Sequence, residues 1–140
     1  MSIVWNSRYN VGIRSVDLQH QDLVEMINEL EALHLAKNYG AALGQLMLRL
    51  NQYVIFHFSH EEDLMTQSFV QPEFKKQHLA EHNVFCEQLG AQAAEVRKGN
   101  EHAAVGALHA YLQSWLLEHI QHTDVEMAKQ MRTRSNHARF

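Results

Sequence analysis

At 140 residues the chain has the length of one domain, enough for a core without disulfide staples and too little for two ordinary domains. Its 12 Lys plus Arg against 16 Asp plus Glu give a net charge of -4, and Lys75, Lys76, Arg97, Lys98, Arg132 and Arg134 are scattered, which excludes a nucleic-acid footprint. The single cysteine, Cys86, excludes an internal disulfide and any cysteine-built zinc or iron-sulfur site, and it is the usage expected of a reducing, cytoplasmic compartment.

Apolar residues spaced three and four apart, with one proline in the whole chain, predict an all-α protein. Residues 1–16 read as an irregular N-terminal arm. Trp5, Asn6, Arg8, Tyr9 and Arg14 interrupt its short apolar stretches, so it is neither a signal peptide nor a membrane span. A first helix is predicted from about Asp17, as its cap, with His20, Leu23, Val24, Ile27 and Leu30 on one face, until Asn38-Tyr39-Gly40 ends it. The second presents Leu43, Met47, Leu50, Val54, His57, Glu61 and Leu64 and fails around Ser68. Pro72 belongs in the first turn of the third helix, which buries Phe74, His78, His82, Phe85, Leu89 and Val96 before Gly99-Asn100. A fourth helix to about Gln130 carries Val105, Leu108, Leu112, Trp115, Leu116 and His119 inward, and residues 132–140 read as a polar tail. Short connections force neighbours to reverse, so the expected architecture is an antiparallel up-down-up-down four-helix bundle over 1–140.

The unusual feature is 11 histidines. That number produces about one His-x-x-x-His by chance, so His78 and His82 alone carry little weight. Depth in the bundle is the stronger test. Reflecting His20 through turn centres at about residues 39, 69 and 99 gives about 58, 80 and 118. Those levels belong to His57 and Glu61, to His78 and His82, and to His119. All four helices therefore deliver metal-ligand side chains at one level.

Residues four apart share a helix face, which suits His57 with Glu61 and His78 with His82. Asp124 follows His119 by five residues, about 140° around a regular helix, so a shared site requires a local irregularity such as a π-bulge. Five imidazoles and two carboxylates exceed the needs of one zinc and suit two first-row ions, with each carboxylate able to bridge. The Glu-x-x-His pairs of ferritin-like sites are not matched, since one such element occurs, Glu31 to His34, at the far end of the first helix. His78-Leu79-Ala80-Glu81-His82 also fits an inverted zinc-protease motif, but Glu81 points off the face that 78 and 82 share. His34, His60, His102, His109 and His137 read as surface or hydrogen-bonded histidines, and Cys86, four residues past His82, reads as a buried apolar thiol.

The chain resembles the hemerythrin family in its stand-alone bacterial form. The resemblance runs through Trp5, Tyr9-Asn10-Val11-Gly12-Ile13, Val16-Asp17-Leu18-Gln19-His20 and His57-Phe58-Ser59-His60-Glu61-Glu62. It continues in His78 through His82 with Phe85, and in Trp115-Leu116-Leu117-Glu118-His119-Ile120 followed by Asp124. It implies one iron held by His78, His82 and His119, the other by His20 and His57, with Glu61, Asp124 and an oxo or hydroxo group bridging them. The second ion, cycling between ferrous and ferric states with the first, keeps a position for dioxygen. The implied function is reversible dioxygen binding for storage, delivery or sensing, without catalysis; the alternatives are a di-iron peroxidase or oxidase and a metal reservoir.

Reversible binding needs a dry apolar pocket that keeps protons from the bound oxygen. Leu23, Trp115 and Leu116, one turn from His20 and His119, are its expected walls. His122, three residues after His119, is expected to bring a titratable group near it.

Overall fold

In a computed structural model, residues 2–138 are described, with side chains through residue 133. A 3-10 turn, Ser7–Tyr9, precedes α1 (Arg14–Leu35), α2 (Ala41–Gln67), α3 (Pro72–Arg97) and α4 (Glu101–Glu118), which passes through a π-helical segment, His119–Asp124, into α5 (Val125–Ala138). α1 packs on α2 and α4, and α3 packs on α4 and α2, so the helices form the square of an up-down bundle. Among the described residues no strand occurs and no helix is long and apolar enough to cross a membrane.

The punctuation is chemical. α1 stops where Lys37 turns left-handed (φ 53°) and the Asn38 amide donates back to the Leu33 carbonyl at 2.9 Å. α2 repeats the device with Phe69 (φ 54°) and Val70 donating to Met65. Pro72 opens α3, where its missing N–H is no loss. Gly99, at φ 99°, makes the turn into α4 that a side chain would resist.

Two boundaries differ from expectation. α1 starts three residues before Asp17, which is buried inside the first turn rather than capping it. Its carboxylate accepts from the Val11 and Gly12 amides at 2.7 and 3.2 Å. A cap residue must precede its helix; Asp17 instead pins the N-terminal arm onto it. The arm is held again by Asn28, which accepts from the Ile3 amide and donates to the Ile3 carbonyl at 2.9 and 2.8 Å. At the other end, helix continues to Ala138, past the expected end near Gln130, because Met127 and Ala128 are fully buried and Met131 packs on the core. The polar stretch after Arg132 is helical as far as Ala138, and the side chains of 134–140 lie outside those described.

The inner stripes place Leu23, Val24, Ile27, Leu30, Leu43, Leu50, Val54, Phe85, Leu89, Val105, Leu108, Leu112 and Leu116 in the core. Leu46, Phe58 and Met65 join them. Cys86 is exposed: four residues advance a helix by about 40° beyond a full turn, enough to take it from the His82 face into solvent while Phe85 fills the core.

Candidate metal centre

His20, His57, Glu61, His78, His82, His119 and Asp124 are all buried and converge at one level of the bundle. The two carboxylates divide the imidazoles into two sets. Glu61 Oε1 lies 3.0 Å from His82 Nε2, 3.3 Å from His78 Nε2 and 3.7 Å from His119 Nε2. Its other oxygen, Oε2, lies 3.5 Å from His57 Nε2 and 3.9 Å from His20 Nε2. Asp124 repeats the division: Oδ1 faces His119 at 3.1 Å and His78 at 3.3 Å, whereas Oδ2 faces His20 at 3.0 Å. Three imidazoles stand on one side, two on the other, and a carboxylate oxygen from each acid is turned to each side.

The π segment makes this possible. Five residues separate His119 from Asp124, and a π turn brings such residues close to one face where an α-helix would leave them about 140° apart. The irregularity that the spacing requires is thus present at those residues. Thr123 donates to Glu81 on α3 at 3.0 Å, fixing the widened turn, so Glu81 does point away from the histidine cluster.

Among the described residues, the Nε2 atoms of His20, His57, His78 and His119, Glu61 Oε2 and both Asp124 oxygens are buried with no hydrogen-bond partner. Leaving so many polar atoms dry and unpaired is costly, and cations between them would satisfy every one. Two four-residue sets have ligand atoms within 4.8 Å of one another: Glu61, His78, His82, His119 and His20, His57, Glu61, Asp124. Nitrogen-rich sets with shared carboxylates suit ions of intermediate softness such as iron.

The groups polarise one another. Burial drives the His57 imidazole down to about 4, overriding the attraction of Glu61. Burial opposes charge at His119 too, but the adjacent Asp124 and Glu61 prevail and push it up to about 10. Burial would raise both acids, yet Glu61 is held well below the usual carboxylate range by the surrounding imidazoles, His57 first and then His119, His78 and His82. Asp124 is likewise lowered, by His119 and His20.

Two outer nitrogens are anchored by residues the sequence reading missed. His57 Nδ1 donates to Gln19 Oε1 at 2.7 Å, and His82 Nδ1 to Glu62 Oε2 at 3.0 Å, which leaves each Nε2 free to face the centre. Their sequence signal is a polar residue next to a candidate ligand, Gln19 before His20 and Glu62 after Glu61. Phe58 lies flat on His82, with centroids 3.8 Å apart and planes at 5°.

One turn toward the apolar end, Leu23, Trp115 and Leu116 line a cavity together with Ile27, Leu50, Val54, Phe58, Phe85 and Leu112. Its volume is about 20 Å³ and its lining is apolar, room for one small guest where a water takes about 10–15 Å³ by this measure. His122 is not among its walls and is exposed, because the widened π turn rotates it outward. A larger groove of about 640 Å³ between α2 and α3 opens at the far end, away from the histidines.

Of the remaining histidines, His34 is half-buried with Nδ1 beside the Tyr39 hydroxyl, His60 pairs with Ser15 at 2.8 Å, and His109 faces Glu31 at 3.3 Å. His102 is exposed and stacks on His34. His137 lies among the side chains outside the description.

A family model described as a hemerythrin HHE cation binding domain matches residues 11–131. A bacteriohemerythrin of Pseudomonas aeruginosa is 32% identical over 123 residues, 87% of this chain and 76% of its own length. One from Stenotrophomonas maltophilia is 28% identical over 96% of this chain and 84% of its own. A solved crystal structure of a leucine-to-phenylalanine mutant, 20% identical, superposes with a TM-score of 0.80 over 94% of this chain and 98% of that one, a likeness of fold.

Proposed function

The chain belongs to the hemerythrin family, and from that premise we propose that it binds dioxygen reversibly at a pair of non-haem irons. The observation that carries the reading is the unequal division of donors, three imidazoles against two, across carboxylates whose oxygens face both ways. In this reading His78, His82 and His119 would hold one iron, His20 and His57 the other, and Glu61 and Asp124 would each offer an oxygen to both, with an oxo or hydroxo group completing the pair. The iron pair, when bound, supplies the two electrons that dioxygen takes up on binding and returns on release.

The chain's own residues do the rest. Gln19 keeps His57 oriented, and a neutral His57, already favoured by burial, is the ligating form. Leu23, Trp115 and Leu116 wall the side of the centre where a small apolar cavity lies, excluding the water and protons that would convert bound oxygen irreversibly. The exposed position of His122 keeps that titratable group from the pocket, which supports binding over turnover.

The test is the visible spectrum of anaerobically reduced, iron-loaded protein before air, after air and again under argon. A charge-transfer band that appears in air, fades under argon and returns is the expected result. A band that persists under argon favours peroxidase or oxidase chemistry, and bound metal without a band defeats the di-iron reading.

A further inference from the structure

We propose that Trp115, Phe85 and Tyr111 form an exit route along which oxidising equivalents leave the metal centre for the protein surface. The proposal rests on the di-iron reading above. Trp115 stacks on His119 with ring centroids 4.4 Å apart and planes at 13°. Phe85, from α3, follows at 4.1 Å. Tyr111, one turn before Trp115 on α4, stacks on Phe85 at 5.8 Å with planes at 15°. The series begins at a candidate metal ligand and ends at a half-buried phenol beside the exposed Cys86. Burial and the neighbouring Cys86 raise the Tyr111 phenol, so at neutral pH it keeps the proton it must release on oxidation.

Chemistry distinguishes this series from its neighbours. Indole and phenol are the aromatic side chains that give up an electron most readily, and a phenyl ring between them serves by orbital overlap alone. Phe58 also touches Trp115, at 5.7 Å, but it is buried, and the rings beside it (His57, His82, Phe85, Trp115 and His119) are buried or half-buried and include no phenol. The other tryptophan, Trp5, is 5.3 Å from Tyr9 but sits 6.4 Å from His20 with planes tilted by 44°, a looser contact with a candidate ligand than the 4.4 Å and 13° of Trp115 on His119.

The electron count closes with hydrogen peroxide as oxidant and a small thiol as reductant. Peroxide acting on a pair already in the ferric state would take two electrons and, with two protons, become two waters, leaving two equivalents strong enough to draw on indole. For each oxidising equivalent left behind, Trp115 gives one electron to the centre, and Tyr111 gives one electron to Trp115 and its phenolic proton to water. A thiol then returns a hydrogen atom to the tyrosyl radical, and two thiyl radicals combine as one disulfide. The route spares the histidine ligands and the pocket walls from oxidation.

The experiment mixes ferric, iron-loaded protein with hydrogen peroxide, freezes it, and reads the radical by electron paramagnetic resonance, with iron content and the visible band measured on the same samples. The expected result is a tyrosyl signal that Tyr111→Phe abolishes while leaving iron content and band intact, and that Trp115→Phe diminishes. Peptide mapping should then find oxidation at His119 and Trp115 raised several-fold in the Tyr111→Phe protein. A tyrosyl signal that survives Tyr111→Phe, one that disappears only with Tyr9→Phe, or no radical in protein with an intact band overturns the route. Protein holding iron but showing no band defeats the di-iron reading, and the route with it.

Discussion

Leu30, Leu46, Leu50, Val105 and Leu108 at one end of the bundle and His20, His57, Glu61, His78 and Asp124 at the other are all at most 1% exposed. The first set leaves nothing unsatisfied by leaving water, since apolar burial is favourable in itself. The second set carries polar atoms with no hydrogen-bond partner among the described residues, each costing about 1–3 kcal/mol in a dry interior. Burial alone therefore does not identify the stabilising region. The leucine end supports the fold, and it offsets the cost of the unpaired polar atoms at the histidine end, which metal ions would satisfy.

The largest test of that contrast is Leu108→Ala. It should destabilise the protein by about 2–5 kcal/mol through lost transfer energy and a residual cavity, equally in metal-free and iron-loaded samples, as read by urea denaturation. Gln19→Leu should act on both states unequally. It should lower metal-free stability by about 1–3 kcal/mol by orphaning the buried His57 Nδ1, and in addition weaken ferrous iron binding at the two-histidine side by about 10–100-fold, measured by anaerobic titration calorimetry.

A smaller effect sharpens the comparison through pH. His119 is raised from 6.5 to about 10, so its contribution to metal-free stability is complete below the unfolded value of 6.5 and is lost as pH rises toward about 10. Glu61 and Asp124 are lowered, so theirs is present above the ordinary carboxylate range and fades as pH falls. His57, lowered from 6.5 to about 4, costs stability as pH falls below 6.5, so metal-free protein should unfold most reluctantly near pH 6.5, and a pH-independent denaturation midpoint would locate these charges outside the stability balance. Smallest of all, His122→Leu should leave the autoxidation rate unchanged, because that imidazole is exposed; stopped decay of the oxygenated band after mixing measures it.

Much was legible before any coordinates. Helix breaks at Gly40, Ser68, Pro72 and Gly99 follow from local chemistry that needs no partner. Likewise, reflection through three turns places His20, His57, His78, His82 and His119 at one depth, because rise per residue is constant along a helix. Periodicity is weaker on the angular position of a side chain at the edge of a stripe. That is why Cys86 was expected inside, and why Phe58, Leu46 and Met65 were overlooked as core residues. Asp17 looked like a cap because its residue type is right; the arm that folds back to meet it comes from beyond the helix.

By itself the sequence determined the helices, the depth at which six of the seven metal-type side chains lie, and the need for an irregular turn if Asp124 is to share a site with His119. These depend on spacing along one chain and on dihedral preferences that every helix shares. Only the tertiary structure decided which carboxylate oxygen faces which imidazole, that Gln19 and Glu62 anchor His57 and His82, that His122 turns to solvent, and that Tyr111 stands at the outer end of an aromatic stack. Those outcomes depend on how neighbouring helices rotate and pack against one another, a property of pairs of surfaces that no single helix encodes.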